Sequence, residues 1–247
     1  MLHFVMSCWL ACFPFLAQNY PYVPPAPTSG GGGTPALSTQ TCASGSPAGS
    51  TITMSAFTAV AGSALYLTFF TSTQDSAGTN ITSITSKAGG VSTSDTFTQI
   101  NFKSQTFATI YGYSVFNLTG GSYVIAITGS MGVGIICLTQ ITHVSSVVAN
   151  CVGAATSTSA PCATTVTPTT SPAVVLGGIG SYYFSATFSV SSPYALGAQF
   201  ANSGNGPGSA GSLGDVCTSS CTSPALTPTF TVAGGSYYTV TTGAIFQ

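Results

Sequence analysis

Few side chains in this sequence are able to do acid–base chemistry. The chain of 247 residues contains two Lys or Arg residues, three Asp or Glu residues and two His residues. The candidates that follow the N-terminal segment are Asp75, Asp95, Asp215, His143, Lys87 and Lys103. Each Asp lies close to Gly or Ser residues, where Asp commonly caps its own backbone in a turn. His143 comes just after an apolar run, which favours a histidine at a strand end.

These residues predict neither an enzyme nor a cofactor or metal site. Three carboxylates in the whole chain are too few for a typical calcium site. Because serine is abundant, the presence of Ser, His and Asp residues is no evidence for a catalytic triad. No G-x-S-x-G segment is present. A hydrolase that uses His143 and an Asp stays as the weakest of three functional hypotheses.

The charge content restricts the partners of the protein. Charged residues make up 2% of the chain, whereas about 25% is usual for globular domains. A nucleic-acid binder needs several cations to neutralise phosphates, so that class is excluded. A surface of hydroxyl and amide groups with a net charge of −1 favours association and suits a protein that works outside the cytoplasm.

The N-terminus predicts secretion. Residues 4–16 are almost wholly apolar but are too few to span a membrane, which takes about 20 residues. We interpret residues 1–17 as a signal peptide and expect no transmembrane span. The alternatives are a buried N-terminal strand or helix and a lipid anchor on Cys12. The predicted location is the cell surface or the extracellular space.

The cysteines indicate disulfide bonds. Of eight cysteines, six follow residue 17, and an even number in a secreted chain is typical of a disulfide framework. Proximity in the sequence favours Cys217–Cys221 and Cys151–Cys162, which leaves Cys42–Cys137. This pairing is one of many, and a metal site is the alternative. His143 is the only histidine after residue 17, which argues against zinc.

Two further sets of residues are candidate surface sites. The sequons Asn80-Ile-Thr82 and Asn117-Leu-Thr119 make Asn80 and Asn117 candidate glycosylation sites. The tyrosine pairs Tyr182-Tyr183 and Tyr237-Tyr238 are candidate ligand-binding residues, because tyrosine combines a ring face with a hydroxyl group. Adjacent strand residues point to opposite faces, so one ring of each pair faces outward or packs beneath a loop or a partner.

We predict that the chain consists of an N-terminal arm followed by one domain. Residues 18–36 are rich in Pro and Gly, which is typical of a partly stiff, partly flexible arm. Residues 37–247 form short runs rich in β-branched and aromatic residues, separated by Gly, Ser, Asn or Pro. These runs predict about twelve strands in an all-β fold, an antiparallel β-sandwich resembling a jelly roll. We place β-strand 122–128 centrally, with both faces covered.

Glycine-rich segments predict turns and loops. Residues 233–236, Ala-Gly-Gly-Ser, indicate a hairpin between the last two runs, and residues 119–122, Thr-Gly-Gly-Ser, link two earlier runs. Residues 177–180, Gly-Gly-Ile-Gly, indicate a break in a strand. Residues 203–214 are expected to form a long mobile loop.

Residues 62–144 carry a further pattern of turns. The segments are Ala-Gly-Ser-Ala-Leu at 61–65, Ile-Thr-Ser-Lys-Ala-Gly-Gly at 84–90, Ile-Tyr-Gly-Tyr at 110–113 and Asn-Leu-Thr-Gly-Gly-Ser-Tyr at 117–123. The pattern resembles β-sandwich modules of uncharacterised function in secreted bacterial and phage-tail-like proteins. The resemblance implies a fold rather than an activity. Lys87 and Gln140 stand near positions where those modules often carry acids.

Two functional hypotheses lead. The first is a secreted structural protein of the cell surface, a filament or appendage subunit that self-associates or binds other envelope proteins. In it the N-terminal arm, or the edge strand of the last hairpin, would complete a neighbour's sheet by β-strand addition. The alternative is a non-catalytic module that binds a polysaccharide or mediates adhesion.

Overall fold

The described part of the chain consists of β-strands. The computed structural model describes residues 33–45, 51–156, 159–161, 172–182, 187–191, 194–201, 209–217, 229–233 and 238–247. These residues form eighteen strands and no helix. Every strand pair is antiparallel. The predicted all-β sandwich class is confirmed, but the expected count of about twelve strands is too low.

The first half of the fold contains ten strands. They are β1 (Ala36–Gly45), β2 (Thr51–Thr53), β3 (Phe57–Ala59), β4 (Ala64–Thr71), β5 (Ile81–Ala88), β6 (Val91–Ser92), β7 (Thr98–Gln105), β8 (Ala108–Val115), β9 (Gly121–Gly129) and β10 (Gly134–Thr142). The inner N sheet has the order β1-β10-β4-β8-β7. The outer N sheet has the order β2-β9-β5-β6, and β3 also pairs with β9.

The second half of the fold contains eight strands. They are β11 (Val147–Ala155), β12 (Ser159–Pro161), β13 (Ala173–Ser181), β14 (Thr187–Val190), β15 (Ala195–Ala201), β16 (Ser209–Cys217), β17 (Thr229–Ala233) and β18 (Thr239–Phe246). The inner C sheet has the order β11-β18-β13-β16-β15, and the outer C sheet has the order β12-β17-β14.

The two halves share one topology. If the strands β11 to β18 are matched in chain order to β1, β2, β4, β5, β7, β8, β9 and β10, both sheets of each half have the same strand order. In each half the first strand pairs with the last, and successive strands alternate between sheets except at β7–β8 and β15–β16, which pair within the inner sheets. This is a jelly-roll order, with the fifth strand attached to the inner sheet. The strands β3 and β6 have no counterpart among the described strands of the C-terminal half.

The four sheets stack as layers. The side chains of β4 alternate, so that Leu65 and Phe69 pack against the outer N sheet while Tyr66 and Phe70 pack against the inner C sheet. All eight residues of β4 are buried, as are all nine residues of β13. Strands that are covered on both faces have continuous apolar runs, and this explains the sequences of β4 and β13.

The inner sheets face each other in reversed order. The strand β1 contacts β15 and β16, β4 contacts β13, and β7 contacts β11 and β18. A two-fold rotation that exchanged the halves would produce the same contacts. The halves are therefore packed in the way two subunits pack in a symmetric dimer.

Glycines of β13 allow the inner sheets to approach closely. A Cβ atom on Gly178 would lie 2.6 Å from Cγ2 of Thr68, and one on Gly180 would overlap the ring of Phe70. Residues 177–180 were expected to break a strand. They instead lie inside β13, because the absence of side chains there makes room for residues of β4.

The Gly-Gly segments at 119–122 and 233–236 do not join strands that pair with each other. Within the described residues, β17 pairs with β12 and β14, whereas β18 lies between β11 and β13. The expected last hairpin is therefore wrong, and β18 offers no free edge. Residues 119–122 likewise carry the chain from the inner to the outer N sheet. In a jelly roll such neighbouring strands belong to different sheets.

Other expectations are corrected or fall outside the described residues. Residues 209–214 belong to β16, although a loop was expected over 203–214. The strand β9 is central in its sheet, but only alternate residues such as Tyr123 are buried. Its second face is half-buried, because the outer N sheet is an outer layer. Residues 1–17 and 18–32 lie outside the described residues, while Pro35 is buried next to β1.

Candidate functional site

A groove opens where the two N sheets separate at one side of the first half. Its volume is about 410 Å³, which is within the range of small-ligand sites. The groove lies between the start of β5 and the segment that leads into β7. It is lined by Ile81, Thr82, Ser83, Ile84, Asp95, Thr96, Phe97, Gln99 and Tyr113.

Three of the lining residues come from the segment that leads into β7. Asp95 and Phe97 precede the strand and Gln99 lies in it, and all three line the groove. The segment follows the β5–β6 hairpin, in which Gly89 and Gly90 adopt positive φ values of 57° and 86°. This turn, which glycine makes without strain, returns the chain along β5 and closes one wall of the groove.

The carboxylate of Asp95 is held by three hydroxyl groups. Ser86 Oγ and Thr93 Oγ1 donate hydrogen bonds to Asp95 Oδ2 over 2.8 Å and 2.7 Å, and the hydroxyl of Tyr123 donates to the same oxygen. Among the described residues, none donates to Asp95 Oδ1. The carboxylate is thus fixed in orientation and keeps the acceptor capacity of one oxygen.

Tyr113 positions the amide of Gln99. The Tyr113 hydroxyl donates a hydrogen bond of 3.1 Å to Gln99 Oε1, and this leaves the amide nitrogen of Gln99 as a donor. Burial raises the pKa of Tyr113 to about 12, and the charge of Asp75 adds to the increase. Tyr113 therefore remains a neutral donor at physiological pH.

The groove offers one charge and one apolar wall. Asp95 is the only charged residue among its lining residues. The half-buried Phe97 packs on the core of the first half, and Ile81 and Ile84 do the same from β5. An acceptor, an amide donor and an apolar surface suit a neutral, hydroxyl-rich ligand. An anionic ligand would meet the carboxylate without a lysine or arginine in the lining.

Asp75 has a structural role in a buried turn. Its Oδ1 accepts hydrogen bonds from the backbone N–H groups of Ala77 and Gly78, and its Oδ2 accepts from the N–H of Asn80 and from the Tyr111 hydroxyl. Burial alone raises the pKa of Asp75, but these four hydrogen bonds outweigh it, and the net pKa lies below its usual value. The expected turn role of Asp75 is confirmed.

His143 lies in the turn after β10. It is exposed and has a φ of 60°, and its Nδ1 lies 3.1 Å from the carbonyl oxygen of Thr34. Among the described side chains, no hydrogen bond links His143 to a carboxylate. Asp215 belongs to β16, and its side chain lies outside the description. Among the described residues, no group of three or more His, Cys, Asp or Glu residues is placed to hold a metal ion.

One predicted disulfide bond is present between described residues. Cys42 and Cys137 are bonded, and they face each other on β1 and β10. Cys151 is also disulfide-bonded; its predicted partner Cys162 lies outside the described residues. The pair Cys217–Cys221 stays a prediction, because Cys217 is described only as the end of β16 and Cys221 lies outside the description.

The two sequons lie in turns of the first half. Asn80 is half-buried, and its backbone carbonyl accepts a hydrogen bond of 2.8 Å from Ser130 N–H. Asn117 is exposed and has a φ of 59°, a conformation in which asparagine is enriched. Glycosylation at both positions stays a prediction, and Asn117 is the more accessible of the two.

Two of the predicted ligand-binding tyrosines, Tyr182 and Tyr238, lie away from the groove. The rings of Tyr182 and Tyr238 lie 5.4 Å and 5.3 Å from the ring of Phe107, measured between centroids. They form a half-exposed cluster at the end of the inner sheets. Tyr183 and Tyr237 lie outside the described residues. Binding at these tyrosines stays a prediction.

The groove residues do not stand out in the sequence as one site. The sequence marks Asp95 as an acid–base candidate and as a turn residue, and it assigns no function to Phe97 or Gln99. The available signal was the two-residue spacing of Asp95, Phe97 and Gln99 across the start of β7. The contributions of β5 and β8 depend on tertiary contacts that no local pattern reveals.

Comparisons with known proteins found no matching family model, no matching curated protein and no matching solved structure. A search of the described residues for helices that are long and apolar enough to cross a membrane found none.

Proposed function

We propose that the chain is an extracellular, non-catalytic protein that binds a neutral carbohydrate in the groove of its first half. The observation that carries the proposal is the row formed by Asp95, Phe97 and Gln99, which presents an acceptor, an apolar ring and an amide to one cavity. Sugars offer the complementary set, since each ring has hydroxyl groups at its rim and C–H groups on its faces.

The electrostatics of the groove favour a neutral sugar. Asp95 accepts hydrogen bonds from Ser86, Thr93 and Tyr123 through one oxygen only, so a sugar hydroxyl has a fixed acceptor. Hydrogen bonds to a charged group are stronger than neutral ones. A uronic or sialic acid would bring a second carboxylate next to Asp95, without a lysine or arginine in the lining to compensate.

Two features support an extracellular site of action. The Cys42–Cys137 bond belongs to the class of covalent links that persist in oxidising compartments. The low charge content suits a surface that makes short-range contacts rather than one that attracts ions over a distance. Secretion through residues 1–17 remains part of the proposal.

The test is binding of the purified chain to a panel of neutral and acidic polysaccharides. We expect retention on a neutral polymer. Asp95→Asn should weaken that retention about tenfold or more, because a hydrogen bond to a charged group contributes about 1.5–3 kcal/mol. Gln99→Ala should weaken it about two- to tenfold, because a neutral hydrogen bond contributes about 0.5–1.5 kcal/mol. Thr85→Ala, an exposed change on β5 outside the groove, is the matched control and should bind normally.

The outcome that would reject the proposal is specific. If wild type binds no neutral polymer, or if Gln99→Ala and Asp95→Asn bind as well as Thr85→Ala, the groove is not a carbohydrate site. Equal binding of acidic and neutral polymers would reject the electrostatic argument.

A structural subunit that assembles by β-strand addition is the second candidate. The last strand cannot serve, because β18 is central in its sheet. The favourable observation is that the edge strands β1, β11 and β15 carry no charged residue, although charges commonly protect edges from pairing. Electron microscopy and sizing of the secreted protein test this candidate, and a strictly monomeric particle would reject it.

A further inference from the structure

The strand β1 has one side without a strand partner. It is an edge of the inner N sheet and pairs with β10 on its other side only. From Gln40 to Gly45 the pairing is regular over six consecutive positions. No other described strand pairs with its outer side.

The geometry at Cys42 shows which backbone groups point outward. The Cα atoms of Cys42 and Cys137 are 4.1 Å apart. Directly opposed residues are about 4.5 Å apart in non-hydrogen-bonded antiparallel pairs and about 5.5 Å apart in hydrogen-bonded pairs. Cys42 therefore turns its N–H and C=O groups away from β10. By alternation, Gln40 and Ser44 do the same.

The other described edges are obstructed or are formed by strands of only two to four residues, namely β2, β3, β6, β12 and β14. Lys103 lies on the edge strand β7, and Lys87 lies on β5 where that strand pairs with the two-residue strand β6. On β11, the Cys151 carbonyl already accepts a hydrogen bond of 3.0 Å from Asn101 Nδ2. On β15, the pairing is irregular between Leu196 and Gln199. The strand β1 has neither a charge nor an irregularity between Gln40 and Gly45.

We propose that β1 pairs antiparallel with β1 of a second copy of this chain. The inference rests on the self-assembly candidate and names its surface and partner. With the two strands centred on Cys42, Gln40 lies opposite Ser44 of the second copy, and Ser44 lies opposite its Gln40. The three outward-facing residues then form three hydrogen-bonded pairs, each with two backbone bonds.

The pairing is self-complementary in chemistry as well as in geometry. Gln40 and Ser44 are polar and uncharged, so each meets a side chain with which it can exchange a hydrogen bond. The net charge of −1 per chain produces little repulsion between copies. The Cys42–Cys137 bond holds β1 to β10, so little ordering of β1 is needed on association.

The product is a closed dimer. Each chain has one β1, and the same surface is used on both copies, so the pairing stops at two subunits. It joins two five-stranded inner N sheets into one continuous sheet. A single pair of edge strands buries less than the roughly 1,200 Å² found in stable complexes, and we expect the dimer to depend on concentration.

The test compares Ser44→Pro with Ser44→Ala in the full-length secreted chain. Proline removes the outward N–H of Ser44 without removing a hydrogen bond to β10, and edge strands tolerate proline at such positions. Analytical ultracentrifugation over a concentration series should show dimers for wild type and Ser44→Ala. Ser44→Pro should remain monomeric, with a thermal unfolding curve that shows it is folded.

A second measurement does not depend on a variant. Hydrogen exchange at the amides of Gln40, Cys42 and Ser44 should slow as the wild-type concentration rises, whereas the amides of Thr41 and Ala43 should not change. Concentration-independent exchange at all five positions would overturn the proposal.

The outcomes separate this proposal from the others. A dimer that survives Ser44→Pro would overturn pairing at β1 but would retain self-assembly through another surface. A wild type that is monomeric at every concentration would overturn both. Carbohydrate binding by Ser44→Pro is expected to equal that of wild type, because the groove lies beyond β7, at the opposite edge of the inner N sheet.

Discussion

The two halves of the molecule share a strand order but differ in what that order supports. In the first half, the core contains large rings such as those of Phe69, Tyr111 and Tyr123, which are fully buried. In the second half, the strand at the matching central position contains Gly177, Gly178 and Gly180. The topology therefore survives a large change in side-chain volume, because it depends on backbone pairing and on burial of one face per sheet.

The segment that forms the groove in the first half also differs from the matching segment of the second half. In the first half, nine residues separate β5 from β7, and they include β6 and Asp95. In the second half, four residues separate the matching strands β14 and β15. There the side chain of Gln199 accepts a hydrogen bond of 3.3 Å from the Phe188 N–H. The comparison shows that an insertion, and not the jelly-roll framework, creates the candidate site.

The largest expected effect concerns the cores. Phe69→Ala should lower the free energy of unfolding by about 3–5 kcal/mol, as is typical of fully buried phenylalanines. Phe188→Ala in the second half should cost less, because Phe188 keeps 6% of its surface exposed and lies in a three-stranded outer sheet. Urea unfolding measures both. Equal losses would mean that the two cores contribute alike.

A smaller effect is expected where the halves meet. Gly178→Val should destabilise the protein by about 1–3 kcal/mol, because its side chain would overlap Thr68. Thr68 has little freedom to move, since its hydroxyl is hydrogen-bonded to the Cys137 carbonyl. Gly177→Ala is the matched control: its Cβ would lie 3.1 Å from the Phe230 ring, within the second half. A larger loss for Gly177→Ala would contradict close packing between the halves.

The smallest effect is the pH dependence, and it belongs to the first half. The lowered pKa of Asp75 stabilises the folded state above the unfolded value of about 3.9. This stability is lost as the pH falls and Asp75 is protonated. Burial raises the pKa values of Tyr66, Tyr111 and Tyr113, so stability is also lost as the pH rises above about 10.

Between these limits the free energy of unfolding should be nearly constant from about pH 5 to 9, because few groups titrate. Urea unfolding across the pH range, with tyrosinate absorbance as a second signal, measures the profile. Tyr113→Phe should reduce the alkaline loss. A steep dependence near neutral pH would show that a group outside this set controls stability.

The sequence predicted the fold class well, for physical reasons that are local. Runs of β-branched and aromatic residues, as in β4 and β8, are typical of strands wherever they pair. The strands β11 and β16 were not predicted, because their alanines and glycines have low strand propensity. They form because they pair with β18 and β13, which no local pattern reveals. The Cys42–Cys137 bond was predicted because pairing the cysteines that are close in the sequence left these two.

The candidate site was less accessible to prediction. The Gly-Gly segment at 119–122 links two strands as predicted, but a turn sequence does not specify whether the next strand enters the same sheet or the facing one. The pairing of β18 with β11 therefore stayed hidden. Tyr113 reaches the groove only because β8 lies next to β7, and the hydroxyl groups of Ser86 and Tyr123 reach Asp95 from two other strands.

The positions of β1 and β7 at opposite edges of one five-stranded sheet have a consequence for avidity. In a dimer joined at β1, the two grooves would lie at the far ends of ten adjacent strands, about 45 Å apart at the usual strand spacing. A long polymer of repeating sugars could occupy both grooves at once. The second contact would then be intramolecular, and weak single sites would retain such a chain far more tightly than either site alone.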